Sequence, residues 1–285
     1  MGEPISVIVT TYNREDALGA VLRALARQTD QDFEVVVADD GSGKRTAEMI
    51  EAWKKKAPYK LMHVWHEDQG FRAAEIRNRA ILVSRGTYCI FLDGDCIPRP
   101  DFISAHRRLA QRGWFVTGNR LLMSQALTEA VLRDDLEPEQ WKLSTWVERR
   151  AEGAINRLIP LFSLPLGLLR KLRPHVWRGA RSCNLAVWRS DLDRVDGFDA
   201  AFSGWGREDS DLLVRLLHAG VRRKDGVFAT GVLHLYHPEA DRSRLEQNDQ
   251  QLDRSLMDRH LRAVKGLSML APAGTSPKIG AGASQ

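Results

Sequence analysis

The stretch Tyr88-Cys89-Ile90-Phe91-Leu92-Asp93-Gly94-Asp95 joins an unbroken run of buried-type residues to two carboxylates. A run of this length, bounded by glycines, predicts a strand that is buried on both faces. The two carboxylates then lie at the carboxyl end of the strand, where open α/β sheets bind their ligands. Their hard oxygen atoms suit Mg²⁺ or Mn²⁺, which proteins bind through one or two carboxylates together with substrate phosphates. The alternative for such a pair taken alone is a solvated acidic turn.

The first hundred residues alternate between strand and helix patterns. Strands are predicted at residues 5–10, 33–38, 60–66 and 88–93, and helices at residues 16–28, 46–56 and 73–83. This order predicts one α/β domain whose sheet is mostly parallel, Rossmann-like and covered by helices.

The pattern is less regular beyond residue 101. Predicted there are a helix at 101–111, strands at 114–117, 184–188 and 227–236, and a helix at 208–219. Residues 266–285 form a tail rich in Ala, Gly, Ser and Pro, which we predict to be disordered.

The composition is that of an ordinary soluble protein. The 285 residues are 43% hydrophobic and 28% charged, with a net charge of +5. Cys89, Cys96 and Cys183 lack the spacing of zinc ligands or of a disulfide framework. The chain enters its first strand without a basic leader and has no run of about 18 apolar residues. We therefore expect a cytoplasmic protein with reduced thiols.

The positive charge is concentrated in residues 146–181, which hold eight Arg or Lys and only two acids. The same region contains an apolar stretch, residues 158–169, which is followed at once by Arg170 and Lys171. Two interpretations remain open: the region lies on the inner face of the membrane as a peripheral contact, or it packs internally on the domain. It contains no recognised module for nucleic acid, so no nucleic-acid partner is predicted.

The first strand is not followed by a glycine-rich turn, which disfavours a dehydrogenase-type dinucleotide site and a P-loop. Acids instead follow the second strand, as Asp39 and Asp40, and the fourth. An Asp at such a position can accept a hydrogen bond from a base or a ribose hydroxyl. Asp-Asp-Gly is also an ordinary turn sequence.

Four blocks of the chain resemble signatures of a known family. They are residues 7–14 (VIVTTYNR), 37–42 (VADDGS), 91–95 (FLDGD) and 204–211 (GWGREDSD). The first three resemble the N-terminal signatures of family 2 glycosyltransferases with the GT-A fold. The fourth is similar to the Gly-Trp-Gly-x-Glu-Asp motif of β-1,4-galactosyltransferases and of chondroitin synthase.

The resemblance implies a UDP-sugar donor. Thr11, Tyr12 and Glu15 would line the uracil or ribose pocket. Asp39 or Asp40 would hold the uracil N–H.

The resemblance also implies how the diphosphate is bound. Asp93 would approach the ribose, with Gly94 beside it, and Arg77 would supply positive charge near the donor. Asp95 and His237 would ligate a divalent metal, Mn²⁺ or Mg²⁺. For both histidines of the His-x-x-His sequence, His234 and His237, the alternative to binding the metal is a purely structural role.

The fourth block would carry the chemistry on the acceptor. By the resemblance, Asp209 is the general base and Glu208 binds acceptor hydroxyls, although the two roles could be exchanged. The aromatic face of Trp205 would stack on the acceptor sugar. Acids at the start of a helix are also common as mere partners of the helix dipole.

Together these features predict an inverting, metal-dependent glycosyltransferase with a glycan or glycolipid acceptor, and the family resemblance implies a role in bacterial envelope synthesis (lipopolysaccharide core or capsule). Residues 1–100 would bind the nucleotide sugar and residues 101–265 the acceptor. The alternative is a nucleotide-sugar-binding scaffold without turnover.

Overall fold

A computed structural model describes residues 2–270, with ten strands and nine α-helices in that range. The strands are β1 (Ile5–Thr11), β2 (Phe33–Asp39), β3 (Lys60–Trp65), β4 (Tyr88–Asp93), β5 (Cys96–Pro98), β6 (Trp114–Thr117), β7 (Arg120–Leu122), β8 (Asn184–Trp188), β9 (Arg222–Asp225) and β10 (Val232–His234). The helices are α1 (Glu15–Ala26), α2 (Lys44–Lys54), α3 (Ala73–Val83), α4 (Phe102–Leu109), α5 (Gln125–Arg133), α6 (Leu143–Ala151), α7 (Arg189–Val195), α8 (Glu208–His218) and α9 (Leu245–Met257). Short 3₁₀ turns lie at Pro138–Gln140, Ile159–Leu161, Gly167–Lys171 and Leu267–Met269.

Seven strands form one sheet in the order β3-β2-β1-β4-β8-β6-β9. Only β8 runs antiparallel to its neighbours, so the other six strands point the same way. The predicted mostly parallel α/β sheet is thereby confirmed.

The central strands are buried on both faces, because α1 packs on one side of the sheet while α3 and α8 pack on the other. Alternate residues of one strand, such as Val7 and Ile8, therefore belong to two different apolar layers. This explains why the central strands read as unbroken apolar runs.

The register of the sheet gathers the acidic strand ends. Thr11 pairs with Asp39 across β1 and β2, and Thr10 pairs with Asp93 across β1 and β4. The carboxyl ends of three parallel strands thus share one edge of the sheet.

A second, three-stranded sheet has the order β5-β10-β7. The strand β5 begins one residue after Asp95, and β10 pairs with it so that His234 lies opposite Cys96. This small sheet carries the His-x-x-His sequence, more than a hundred residues away along the chain, to the Asp-Gly-Asp turn.

The second half of the chain differs from its prediction in several places, two of them among its strands. The predicted strand at 227–236 is wrong in extent, since only Val232–His234 is a strand and Phe228 has a positive φ of 58°. The strand β9 was not predicted, because its sequence Arg-Arg-Lys-Asp lacks apolar alternation and it is recognisable only by its pairing with β6.

The prediction of a disordered tail is wrong for residues 266–270. Leu267 is buried, and both the backbone N–H and the hydroxyl of Ser268 donate to the carboxylate of Asp196. Residues 271–285 lie outside the described residues.

Residues 146–181 are held on the domain by buried anchors but expose several leucines. The region therefore packs on the domain in part, and its peripheral contact with a membrane stays a prediction. No helix among residues 2–270 is both long and apolar enough to cross a membrane.

Candidate active site

Three side chains that could hold a metal ion converge at the end of β4. Asp95 Oδ1 lies 3.4 Å from His234 Nε2, and Asp95 Oδ2 lies 3.6 Å from His237 Nε2. One ligand atom from each residue lies within 4.8 Å of the other two. The sequence predicted Asp95 and His237 as ligands and left His234 open between a ligand and a structural residue. The structure brings all three together, and the His-x-x-His spacing at a strand end was the signal for the third.

The electrostatics of this cluster favour a bound cation. Burial raises the pKa of Asp95, but the hydrogen bond from His234 and the charges of both histidines outweigh it, so this pKa lies below its ordinary value. Burial lowers the pKa of His234, but the same hydrogen bond to Asp95 leaves it above its ordinary value. The carboxylate is thus ionised and faces two imidazole nitrogens. One oxygen ligand with two nitrogen ligands fits a divalent transition-metal ion.

Arg77 connects the donor side of the site to its acceptor side. Its guanidinium is buried and donates to Thr10 Oγ1 at 3.1 Å, to Asp93 Oδ1 at 3.3 Å and to Glu208 Oε1 at 3.2 Å. Burial lowers the pKa of Arg77, but the charges of Asp93 and Glu208 raise it further than burial lowers it. The Arg77 cation therefore joins β4 to the start of α8.

Asp93 is the second carboxylate of the Asp-Gly-Asp turn. Burial raises its pKa despite the charge of Arg77, and the neighbouring Asp95 adds to the rise. The two carboxylates of this turn therefore differ, since the pKa of Asp93 is raised and the pKa of Asp95 is lowered. Gly94, between them, leaves no room for a side chain: a Cβ would lie 2.9 Å from the carbonyl oxygen of Thr10.

Glu208 and Asp209 form the first turn of α8. Three of the four residues before them, Gly204, Gly206 and Arg207 in the GWGR sequence, have positive φ, so the chain turns sharply into the helix. Burial and the charge of Asp209 raise the pKa of Glu208 to about 7, against the attraction of Arg77.

Asp209 is bound by the backbone N–H of Ser182 at 3.4 Å and by the hydroxyl of Ser210 at 3.2 Å. Trp205 is half-buried, and Arg242 lies 5.2 Å from the centroid of its ring. A carboxylate with a pKa near neutrality next to a second carboxylate is an arrangement suited to proton transfer.

The carboxylates at the end of β2, those of Asp39 and Asp40, already bind other groups of the protein. Asp39 contacts the imidazole of His63 and accepts a hydrogen bond from the backbone N–H of Ser42. Asp40 contacts the imidazole of His66 and accepts a hydrogen bond from the backbone N–H of Arg72. Asp39 has no exposed surface, and its contacts join β3 to the turn after β2. Asp39 is therefore enclosed beneath the surface, and Asp40, 4% exposed, is the more exposed of the two.

Thr11 and Tyr12 follow β1 at the same edge. The hydroxyl of Thr11 is buried and has no hydrogen-bond partner among the described residues. Tyr12 is 49% exposed, and its hydroxyl donates to Asp68 at 2.8 Å. Glu15 is instead paired with Arg45 at 2.9 Å in the first turn of α1, where an acid is favourable for the helix dipole. The exposed ring of Tyr12 is the group that remains accessible to a ligand, and the buried Thr11 hydroxyl has an unused hydrogen-bonding capacity.

Two family profiles match the chain. Glycosyl transferase family 2 matches residues 6–161, which is more than half of the chain. A second profile, described as the N-terminal domain of galactosyltransferase, matches residues 171–238, which include the GWGRED block and His237. The two resemblances inferred from the sequence blocks are both confirmed.

Several curated proteins are similar to this chain. Validoxylamine A glucosyltransferase of Streptomyces hygroscopicus subsp. limoneus is 30% identical over 235 residues, which cover 76% of this chain and 48% of that protein. The hyaluronan synthase of Pasteurella multocida is 28% identical over 247 residues, covering 82% of this chain and 24% of the synthase. The chain thus spans about half or less of these relatives.

Solved glycosyltransferase structures share the fold. Staphylococcus aureus TarS (residues 1–349) matches 93% of this chain and 68% of its own with a TM-score of 0.60 at 17% identity. The mannosyltransferase PcManGT of Pyrobaculum calidifontis, solved with GDP-Man and Mn²⁺, matches 91% of this chain and 64% of its own with a TM-score of 0.57 at 20% identity. The predicted GT-A fold is confirmed. By its fold and by the match over residues 6–161, the chain belongs to glycosyl transferase family 2.

Proposed function

We propose that this chain transfers a sugar from a UDP-sugar to a hydroxyl group of a glycan acceptor, in a metal-dependent reaction that inverts the anomeric centre. The observation that carries the proposal is the continuous chain of charged groups from Asp95 through Asp93 and Arg77 to Glu208 and Asp209. It joins a metal-type cluster to a pair of carboxylates at a single edge of the sheet.

The metal would be held by Asp95, His237 and His234. When bound, a divalent ion acts as a Lewis acid on the diphosphate, whose negative charge grows as the sugar departs. We favour Mn²⁺ over Mg²⁺, because carboxylates suit both ions whereas imidazole ligands are typical of transition metals. PcManGT, which was solved with Mn²⁺, supports a divalent metal in this fold.

The donor would lie over the carboxyl ends of β1, β2 and β4. The unpartnered hydroxyl of Thr11, the exposed ring of Tyr12 and the carboxylate of Asp40 are the groups that we assign to the nucleoside. Asp93 would approach the ribose, and Arg77 would place its positive charge beside the diphosphate. Asp39 would orient this pocket from below through His63, and Glu15 would contribute through Arg45 rather than by contact.

The acceptor hydroxyl must lose its proton as it attacks, so a carboxylate at its side serves as general base and contributes typically ~10²–10⁴-fold. We assign this role to Asp209. The acceptor would be oriented by Glu208 and by the ring of Trp205. The exchanged assignment has one observation in its favour, since the pKa of Glu208 is about 7 and a base works best near the operating pH.

A single base and a single displacement imply inversion. We further propose that the acceptor is a polysaccharide or glycolipid of the bacterial envelope, made in the cytoplasm. The hyaluronan synthase and chondroitin synthase relatives, which are named for glycan polymers, support a glycan acceptor. In this proposal, residues 1–100 bind the donor and residues 101–265 bind the acceptor.

The proposal is tested by UDP release from a panel of UDP-sugars with Mn²⁺, with Mg²⁺ and with a chelator. We expect turnover only with metal. Asp209→Asn should abolish transfer and leave the affinity for UDP unchanged, because this carboxylate is on the acceptor side. If UDP binds but no donor is turned over under any metal, the chain is a nucleotide-sugar-binding scaffold and the proposal is wrong.

The pH dependence of transfer distinguishes whether Asp209 or Glu208 is the general base. If Asp209 is the base, Glu208→Gln should keep measurable turnover and raise KM for the acceptor. If Glu208→Gln abolishes turnover together with the ionisation near pH 7, while Asp209→Asn remains active, the exchanged assignment is correct.

A further inference from the structure

A patch of leucines faces solvent on the basic side of the domain. Leu168, Leu169 and Leu172 are 80%, 61% and 73% exposed, and we call them the leucine surface. They lie in and directly after the 3₁₀ turn Gly167–Lys171. Scattered exposed leucines are ordinary in soluble proteins, but three large ones together on one turn mark an interaction site.

The leucine surface is held in place by a buried arginine. Arg170, only 5% exposed, points inward from the same turn. Its guanidinium donates to the carbonyl oxygens of Leu164, Asp225, Val227 and Phe228 at 2.6–3.2 Å. Because this guanidinium is fixed inside the domain, the neighbouring leucines are directed outward by a built structure.

The stretch of chain that carries the leucine surface has charges of one sign. Residues 153–190 contain seven Arg or Lys and no Asp or Glu. Arg157, Arg173, Arg178 and Arg181 are exposed within this stretch. Apolar side chains flanked by cations fit an anionic lipid surface, where the leucines enter the headgroup boundary and the cations pair with phosphates. A second copy of the chain fits poorly, since it would bring two basic surfaces together.

Two parts of this basic stretch are joined to the active site. Directly after Arg181, the backbone N–H of Ser182 donates to Asp209 at 3.4 Å. Near its start, the backbone of Pro160 packs so closely on Gly231 that no side chain fits there, and Gly231 precedes the strand that ends at His234. A bilayer at the leucine surface would therefore border the acceptor side of the site.

We propose that the leucine surface and its flanking arginines dock this chain on an anionic phospholipid bilayer, from which a lipid-linked acceptor would reach Asp209. The docking is a property of the surface alone, whereas its use in presenting the acceptor rests on the function proposed above. Lipid binding and sugar transfer are thus measured separately.

The test is sedimentation of the protein with vesicles of phosphatidylglycerol and phosphatidylethanolamine, compared with vesicles of phosphatidylcholine alone. We expect binding to the anionic vesicles only. It should be weaker at about 0.5 M salt than at about 0.05 M, because salt screens the arginine–phosphate attraction. The variant L168E/L172E should lower the partition coefficient by at least about tenfold, since it removes two apolar contacts and adds two negative charges.

The matched control is M257E/V264E, which makes the same charge change at two residues, 81% and 63% exposed, outside the leucine surface. It should bind anionic vesicles much more strongly than L168E/L172E. Metal-dependent UDP release without an acceptor should be unchanged in both variants. A failure of that release in the wild type would overturn the proposed function, not the docking.

Three results would overturn the docking. The first is no binding to anionic vesicles at either salt concentration, and the second is equal binding by L168E/L172E and the wild type. The third is a dimer in lipid-free sedimentation velocity that L168E/L172E dissolves, because the leucine surface would then belong to a second copy of the chain.

Discussion

Replacing Glu208 by glutamine is expected to stabilise the folded protein at alkaline pH while it impairs the proposed reaction. Glu208 is 8% exposed, and burial and the charge of Asp209 raise its pKa from the ordinary 4.5 to about 7. Ionised Glu208 is therefore less favourable in the folded protein than in the unfolded chain. Glutamine resembles the neutral acid and can still accept the hydrogen bond that Arg77 donates.

The size of the effect follows from the two pKa values. Below about pH 4.5 the acid is neutral in both states, so the variant and the wild type should have similar free energies of unfolding. Between about pH 4.5 and pH 7 the folded protein keeps a proton that the unfolded chain releases, and the wild type loses stability as the pH rises. Above about pH 7 the accumulated difference is constant, at about 3 kcal/mol in favour of Glu208→Gln.

The assay is urea unfolding of both proteins at several values between about pH 5 and pH 8, with a metal chelator and without nucleotide. Glu148→Gln, which makes the same substitution at an exposed glutamate of α6, is the matched control. A stability difference for Glu208→Gln that stays flat across this range, or that favours the wild type at about pH 8, would refute the reasoning.

Two further predictions concern packing around the site. Arg215→Met should destabilise the protein by about 3–5 kcal/mol in urea unfolding, because it leaves the fully buried Asp211, 2.7 Å away, without its cation. The double variant with Asp211→Asn should recover part of that loss, and an equal loss in both would show that the ion pair is not the cause. Gly94→Ala should weaken metal-dependent UDP binding, because its Cβ would press on the carbonyl oxygen of Thr10, whereas Gly19→Ala in α1, whose nearest contact would be 3.5 Å away, should leave UDP binding unchanged. Equal UDP affinities in the two glycine variants would contradict this.

The first half of the fold could be predicted because its signals are local. Strands buried on both faces appear as apolar runs, and α3 was predicted with its observed ends, Ala73–Val83. Two of the elements that were missed depend on distant partners. All four residues of β9 are charged and the strand is held by its pairing with β6, and the polar α9 packs against α8.

The site could be predicted to the extent that its residues stand in recognisable blocks. Asp95, Glu208 and Asp209 were found in this way, and the structure brings them to one edge of the sheet. The link through Arg77 spans 131 residues, from α3 to α8, and no local pattern encodes it. His234 was undervalued for a similar reason, since the pairing of β10 with β5 decides that it faces Asp95.

The roles of the acids after β2 could not be separated from the sequence. Asp39 and Asp40 are adjacent in one turn, and either could have faced a nucleotide. The contact with His63 comes from β3, and it is the order of the strands that puts Asp39 beneath the surface. Burial, which the turn sequence does not reveal, separates the two residues.

The most direct test of the account is the binding of Mn²⁺ in the presence of UDP, measured by electron paramagnetic resonance of the free ion. The account predicts that Asp95→Ala abolishes this binding and that His237→Ala and His234→Ala each weaken it. Asp68→Ala, at an exposed acid that contacts Tyr12, is the control and should leave Mn²⁺ binding intact. If the three cluster variants bind Mn²⁺ with UDP as tightly as the wild type, the cluster is not the metal site. That result would contradict the proposed metal-dependent reaction at this cluster.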